Sequence, residues 1–284
     1  MSIEIMPSGN ALGAEVRGID LSRPMDAATF VALERAFDEH SVIWLRGQQL
    51  NERQLVAFAS RFGAPEPNYL KHFAHPDYPE IMLVTNIREG DRKIGHDHAG
   101  TMWHTDMSYM EKPPRATVLH AIEIPFENGV ALGETDFASA IAAYEALPAS
   151  TKRRIDGLMV VHQVFGRRGD TVNDARTQEM RRDRPAVIHP LVRVHPRTGR
   201  KALYVVKGEC QSIVGMPDDE ALPLLGELTE MIPQTRFCHT HKWQVGDILM
   251  WDNCAVQHIA HIDYQWPKHR RLLQRVTVGV APTH

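Results

Sequence analysis

Met102-Trp103-His104-Thr105-Asp106-Met107-Ser108-Tyr109 is the stretch around which this chain is organised. It sets a histidine and an aspartate two positions apart inside a run rich in strand-favouring residues. In a strand the side chains at i and i+2 share a face, so the His104 imidazole and the Asp106 carboxylate are expected to converge. Met107 and Tyr109 are expected to continue the same strand. An imidazole and a carboxylate are two thirds of the 2-His-1-carboxylate triad that holds non-heme Fe(II) and leaves coordination positions open. With 16 His and 35 acidic residues in the chain, an H-x-D pair also arises by accident. A metal centre therefore needs a third ligand and a use for its open positions.

Composition narrows the classes. A chain of 284 residues with 43% hydrophobic and 24% charged residues has the profile of a globular protein. We expect one domain over residues 1–284. A net charge of −3 and a pI near 6.6 give no support for nucleic acid or an anionic membrane as partner. Cys210, Cys238 and Cys254 are far apart, odd in number and lack a C-x-x-C pattern, which suits buried thiols in a reducing compartment. The start of the chain has no basic segment before an apolar run, and no apolar stretch approaches the roughly 20 residues of a membrane span. The expected location is the cytoplasm.

Outward from the central stretch, strands are expected at Ala14–Leu21, Ser41–Arg46, Ile81–Thr85, Arg115–Ile124 and Glu134–Phe137, with a strand-like run at Leu158–Val164. Two more, Ala186–His195 and Lys201–Val206, are joined by the hairpin signal Pro196-Arg-Thr-Gly199. The chain ends strand after strand, at 235–241, 246–251, 254–259 and 271–280. Asp26, Asn51 and Ser139 cap helices, with Gly63 stopping the second. A fourth helix opens at Pro217, with Leu222, Leu225, Leu228 and Ile232 as its core positions. Arg167-Arg168 and Arg181-Arg182 are expected at a solvated surface. Many short strands with four amphipathic helices predict a mostly β domain with flanking helices.

His258 is the candidate third ligand, since sheet pairing in a barrel can bring it beside His104. His239, His241 and His261 compete with it, as does the His96/His98 pair in the glycine-rich loop before the central stretch. Arg271 and Arg275 stand four apart in the last strand run, on one face with Leu273. If that face is inward, each guanidinium must meet an anion, because an unpaired buried charge is costly. An exposed sheet face is the alternative.

Taken together, these residues resemble the taurine/2,4-dichlorophenoxyacetate dioxygenase family of Fe(II)- and 2-oxoglutarate-dependent oxygenases. The resemblance rests on Trp103-His-Thr-Asp106 before Pro113-Pro114, Gly133-Glu-Thr-Asp136, His189-Pro-Leu-Val-Arg-Val-His-Pro196, Thr198-Gly-Arg-Lys-Ala-Leu-Tyr204, Trp251-Asp-Asn253 with His258, and Arg270-Arg271 with Arg275. It runs from about residue 10 to 280, in the family's order. It implies a double-stranded β-helix (jelly-roll) core with Fe(II) held by His104, Asp106 and His258. It further implies that Arg271, helped by Thr135, meets the distal carboxylate of 2-oxoglutarate, and that Arg275 meets the anionic group of the substrate. Around Thr135 the chain departs from the family's Gly-Gly-Asp-Thr, and the stretch from His258 to Arg271 is about two residues longer.

The family's pocket positions fall here on Asn68, Lys71, Met107, Tyr109 and the segment Val206–Cys210. Lys71 matches a lysine of the aryloxyalkanoate-cleaving members. Glu209 stands where an aromatic is usual; it either recognises a cationic group of the substrate or points to solvent, and solvent is the expectation favoured. The implied reaction is hydroxylation of a small anionic organic substrate by O2, with succinate and CO2 released. Cleavage follows where the hydroxylated carbon bears ether oxygen or sulfur. The implied assembly is a homo-oligomer, a dimer or tetramer. A Zn-dependent hydrolase and a non-catalytic small-anion binding protein on the same fold are the alternatives.

Overall fold

Alternation along the strands buries both faces of one large sheet. Val42, Trp44, Leu119, Ala121, Leu249, Trp251 and Leu273 point into one apolar cluster, and Ile43, Leu45, Val118, Ile248, Met250, Val276 and Val278 into another. The computed structural model describes residues 3–67, 71–97, 99–166 and 175–279. Asn68, His98, Arg167 and Arg168 lie outside the described residues. Among those described, the large sheet runs in the order Glu4–Pro7, Ala14–Arg17, Val42–Leu45, Ile248–Asp252, Ala116–Glu123, Leu272–Val278, Ile81–Thr85. Its pairs are antiparallel except Ala14–Arg17 with Val42–Leu45.

The two faces are covered differently. Helices Ala27–His40 and Glu52–Ala59 close the outer face, carrying Leu33, Phe37, Leu55 and Phe58 into the second cluster. Asp26 caps the first through Thr29 N–H, and Asn51 with Gln54 forms a capping box on the second. On the inner face lies a smaller antiparallel sheet, Cys238–His241, Thr135–Ser139, Val256–Ala260, whose Phe137 and Val256 join the first cluster. Two facing sheets with helices outside make the jelly-roll, mostly β architecture expected from the sequence. No helix among the described residues is long and apolar enough to cross a membrane.

Several local expectations are corrected. Met102–Tyr109 is not a strand: His104 makes one isolated bridge, and the chain then turns with Met107 in the left-handed region at φ 53°. The run 186–195 splits at Leu191 into Val187–Pro190, paired with Met159–His162, and Val192–Val194, paired with Lys201–Leu203. In helix Asp218–Met231 the buried stripe is Ala221, Leu224, Leu225 and Leu228, and Leu222 is rotated half out of it. Residues 235–237 form a short 3₁₀ turn ahead of strand Cys238–His241. Gly63 lies four residues beyond the end of the second helix, and its lack of a side chain serves a close approach: a Cβ there would clash with the Gly279 carbonyl oxygen. Arg181 is half-buried and donates to the Phe165 and Gly166 carbonyls at 2.6 and 2.8 Å, whereas Arg182 is exposed.

Phe62 anchors the outer layer. It is fully buried, meets Phe30, Phe37 and Phe58 edge-on at centroid distances of 5.2 to 5.7 Å, and its carbonyl accepts from Arg115 Nη1 at 2.9 Å. Phe62→Ala is expected to cost about 3–5 kcal/mol of folding stability. Urea titration of both proteins checks it; a loss below about 1 kcal/mol would mean that the layer does not depend on this ring.

Candidate metal centre

His104 and His258 face each other across a two-way backbone bridge. His104 N–H donates to the His258 carbonyl at 3.1 Å, and His258 N–H returns to the His104 carbonyl at 2.8 Å. The bridge brings the two imidazoles to a centroid distance of 4.1 Å, tilted by 44° to each other. His104 Nδ1 lies 2.7 Å from the Met102 carbonyl, which can only accept. In the neutral ring the proton is therefore on Nδ1, and the Nε2 lone pair faces Asp106 Oδ1 at 3.7 Å. His258 Nε2 approaches the same oxygen at 3.9 Å. Burial, with His104 beside it, holds the His258 imidazole well below its ordinary range, so this ring is neutral.

Asp106 is placed by a knot at Asn253. Thr105 Oγ1 donates to the Asn253 carbonyl at 2.7 Å, and Asn253 Oδ1 accepts from Trp251 Nε1 at 3.1 Å and Asp106 N–H at 3.4 Å. Asn253 Nδ2 donates to Thr117 Oγ1 at 3.2 Å, and Thr117 donates to Asp106 Oδ2 at 2.6 Å. Burial alone would raise the Asp106 carboxyl, but the Arg275 guanidinium, both imidazoles and the Thr117 hydroxyl outweigh it and hold it far below the carboxylate range.

One donor atom each from His104, Asp106 and His258 lies within 4.8 Å of the others. Spacings of 3.7 and 3.9 Å fall within the roughly 4 Å that two donors on one ion can span at about 2 Å each. Two imidazoles and one carboxylate, in a cluster with one open side, fit a divalent iron. The competing histidines are engaged elsewhere. His241 Nε2 pairs with Asp247 at 3.0 Å, His261 Nε2 with Asp136 at 2.7 Å, and His239 stacks on Trp44.

Arg271 is buried, yet its Nε has no hydrogen-bond partner, and Nη2 reaches the Gly133 carbonyl only at 3.4 Å. The Tyr264 ring lies 5.3 Å from the guanidinium carbon, and burial lowers the guanidinium's pKa. A fully buried cation so poorly met by protein acceptors is suited to an incoming carboxylate. Gly133, at φ +79°, keeps this space open, because a Cβ there would stand 2.7 Å from Arg271 Nε. Thr135 is buried on the same inner sheet and accepts from Trp243 Nε1 at 3.1 Å. Beside the triad lies an open cavity of about 280 Å³, bordered by Met107, Tyr109, Glu209 and Arg275 among others.

The sequence matches the model of the taurine catabolism dioxygenase TauD, TfdA family over residues 4–277. The chain belongs to this family. It is 33% identical over 272 residues to an alpha-ketoglutarate-dependent 2,4-dichlorophenoxyacetate dioxygenase of Cupriavidus pinatubonensis, covering 91% of this chain and 92% of that one. It is 31% identical to a pentalenolactone F synthase of Streptomyces arenae, covering 96% and 94% of the two chains. The crystal structure of AAD-2 in complex with Mn(II) and N-oxalylglycine matches at a TM-score of 0.83 and 28% identity, covering 99% of this chain and 98% of that one. The protein is accordingly an oxidoreductase, a dioxygenase that uses Fe(II) and 2-oxoglutarate, with O2 and a small-molecule substrate as its other partners. Family membership does not favour the hydrolase or the binding-protein alternative.

Within this dioxygenase the expected pocket residues are distributed unevenly. Met107 and Tyr109 line the cavity, brought there by the turn rather than by a continuing strand. Arg275 also lines it, with Nη2 2.8 Å from Asp106 Oδ1 and Nε 3.3 Å from Thr277 Oγ1. Lys71 is exposed on a short 3₁₀ turn and does not border the cavity. Glu209 does not point to solvent: it is buried, borders the cavity and accepts from Ser108 Oγ at 2.6 Å. Sequence reasoning missed the supporting residues Thr117, Ser108, His162 and Tyr264. A lone threonine in the apolar run Ala116–Ala121 was the one available signal.

His162 backs this wall, its Nδ1 lying 3.0 Å from Ser108 Oγ. Burial, with His189 adjacent, pushes its imidazole down to about 3 from 6.5. As pH falls the unfolded chain takes the proton first. The native state therefore keeps its full stability above about pH 6.5 and loses up to about 1.4 kcal/mol per pH unit on the way down to about 3. Denaturant titrations between about pH 7 and 5 are expected to show a steeper loss in the wild type than in His162→Gln; parallel losses would clear His162 of this role.

Proposed function

We propose that His104, Asp106 and His258 hold the Fe(II) of this dioxygenase, that Arg271 with Thr135 takes the distal carboxylate of 2-oxoglutarate, and that Arg275 faces the anionic group of a small organic substrate. On this proposal residues 1–284 act as a single catalytic domain. The observation that carries it is the convergence of two imidazole nitrogens and one carboxylate oxygen beside the poorly met Arg271 guanidinium. The substrate class is of aryloxyalkanoate, sulfonate or related carboxylate type. The relative named for 2,4-dichlorophenoxyacetate and a sulfate ester dioxygenase of Pseudomonas putida, 30% identical to this chain, support it.

When bound, iron with 2-oxoglutarate and O2 supplies the oxidising power that hydroxylates a substrate carbon, releasing succinate and CO2. The chain's own contribution is placement. The Met102 carbonyl fixes the His104 tautomer, and Thr117 with Asn253 holds Asp106 so that one oxygen faces both imidazoles. Arg275 keeps that carboxylate ionised while offering the cavity its remaining N–H groups. Phe137 and Trp251, packed at 5.9 and 4.6 Å from the His258 ring, shield the back of the site from water. Hydroxylation at a carbon bearing ether oxygen or sulfur collapses with cleavage of that bond. The proposed setting is the cytoplasm, as a dimer or tetramer. Two buried free thiols and one half-buried thiol are compatible with a reducing compartment.

His104→Ala and Asp106→Ala are each expected to abolish succinate release, and Arg271→Ala to raise the 2-oxoglutarate requirement about tenfold or more with a smaller change at saturation. Succinate assays over a 2-oxoglutarate series, with iron analysis of each protein, decide this. Full iron-dependent turnover by His104→Ala would refute the ligand assignment.

A further inference from the structure

Thr135 opens the inner-sheet strand Thr135–Ser139, with His241 opposite it on one side and Ala260 on the other. Two residues on, Phe137 packs its ring against His258 and joins the apolar cluster between the sheets. Strand alternation puts the Thr135 side chain on that same inward face, and the residue is buried. Two residues back stands Gly133, whose carbonyl is the 3.4 Å partner of Arg271 Nη2. The short run 133–135 therefore brings a hydroxyl into the neighbourhood of the buried guanidinium.

Among the described residues, Thr135 Oγ1 has one hydrogen-bond partner, Trp243 Nε1 at 3.1 Å. An indole N–H can only donate, so Oγ1 accepts on that side and its own hydrogen is left to be given elsewhere. Arg271 cannot take it, because a guanidinium also only donates. Arg271 Nε is itself a buried donor without an acceptor. Two buried donors on neighbouring stretches, both costly to leave unmet, call for one group that only accepts, and a carboxylate is such a group.

The indole does not owe its place to this hydroxyl. Trp243 is 1% exposed, and its ring lies edge-on to His241 at 4.7 Å. His241 is held by Asp247 at 3.0 Å, and the same carboxylate oxygen accepts from the Gln244 N–H, next to Trp243 in the chain, at 2.8 Å. A rigid N–H thus meets a hydroxyl that would otherwise turn freely about its C–O bond. Core packing alone needs only the volume of the ring; what sets Trp243 apart from a Phe is the direction in which its N–H points.

We propose that Trp243 is a positioning residue for 2-oxoglutarate: its indole N–H holds the Thr135 hydroxyl in the orientation that donates to the distal carboxylate. The proposal rests on Arg271 and Thr135 being the carboxylate site of the proposed function. It adds a residue that acts through Thr135 and touches neither the metal nor the co-substrate. Without the N–H, the hydroxyl can turn its lone pairs towards the carboxylate, and part of the binding is lost.

The test is a double-mutant cycle read by binding. Mn(II)-loaded protein is titrated calorimetrically with 2-oxoglutarate in the absence of oxygen, so that no turnover occurs. Thr135→Val is expected to weaken binding about 10–100-fold, the range of one hydrogen bond to a charged group. Trp243→Phe is expected to weaken it about 3–10-fold in the wild-type background. In the Thr135→Val background the same change is expected to alter binding less than about twofold, because the hydroxyl it orients is gone. The benzothiophene analogue of tryptophan, placed at position 243, keeps the ring's volume and replaces only N–H by sulfur. It is measured in parallel, so a poorly folding Trp243→Phe does not remove the test. Wild-type affinity in the Trp243 variants, an equal loss in both backgrounds, or wild-type affinity in Thr135→Val overturns the proposal. Arg271→Ala separates the two readings. Unchanged binding there counts against the proposed function, whereas weakened binding there with unchanged binding in the Trp243 variants counts against Trp243 alone.

Discussion

Two backbone hydrogen bonds, exchanged between His104 and His258, are the contact on which the site depends. They join a turn that belongs to neither sheet to the edge of the inner sheet, and they set the two imidazoles side by side at 4.1 Å, tilted to each other. Side chains alone would position such a pair loosely, because each ring has rotamers to choose from and each choice costs entropy to fix. Here the backbone opposes the two residues first, and packing by Phe137 and Trp251 then limits the His258 ring. Asp106 follows from the same constraint. Once His104 is tied down, the chain two residues on reaches Asn253 and Thr117, which complete the carboxylate's surroundings.

The second organising feature is an excess of buried charge that the protein does not neutralise pair by pair. Asp106 gathers Arg275, two imidazoles and a hydroxyl, and Arg271 retains an unmet Nε. In a region chosen only for stability such groups would be replaced by apolar ones, since burying them costs more than partial pairing returns. Their persistence in an otherwise apolar core, between sheets that interdigitate Trp251, Leu249 and Phe137, is what a site prepared for charged ligands requires. The two-sheet frame tolerates this because its outer face is closed independently by the helices around Phe37 and Phe62.

Much of the frame was legible in the sequence, because strand alternation and helix caps are local signals. Val42 to Leu45 and Ile248 to Trp251 lie within runs that read as strands, and Asp26, Asn51 and Ser139 each cap the helix they precede. Local signals failed where a tertiary contact overrode them. The strand-favouring run Met102–Tyr109 is bent into a turn because Thr105 and Asp106 are drawn to Asn253, and Met107 takes up the strain at positive φ. Leu222 and Leu224 are alike in composition, and only the docking angle of their helix decided which is buried.

By itself the sequence determined the donor types, the two-residue spacing of His104 and Asp106, and a pair of arginines in the last strand run. These depend only on covalent order and on the period of a local conformation. The tertiary structure decided that His258, and not His239, His241 or His261, stands opposite His104, since sheet register is a long-range choice that no local period encodes. It also turned Glu209 from expected solvent into the cavity wall and left Lys71 outside. The direction of a loop side chain is set by what packs against it, and those neighbours come from segments distant in the chain.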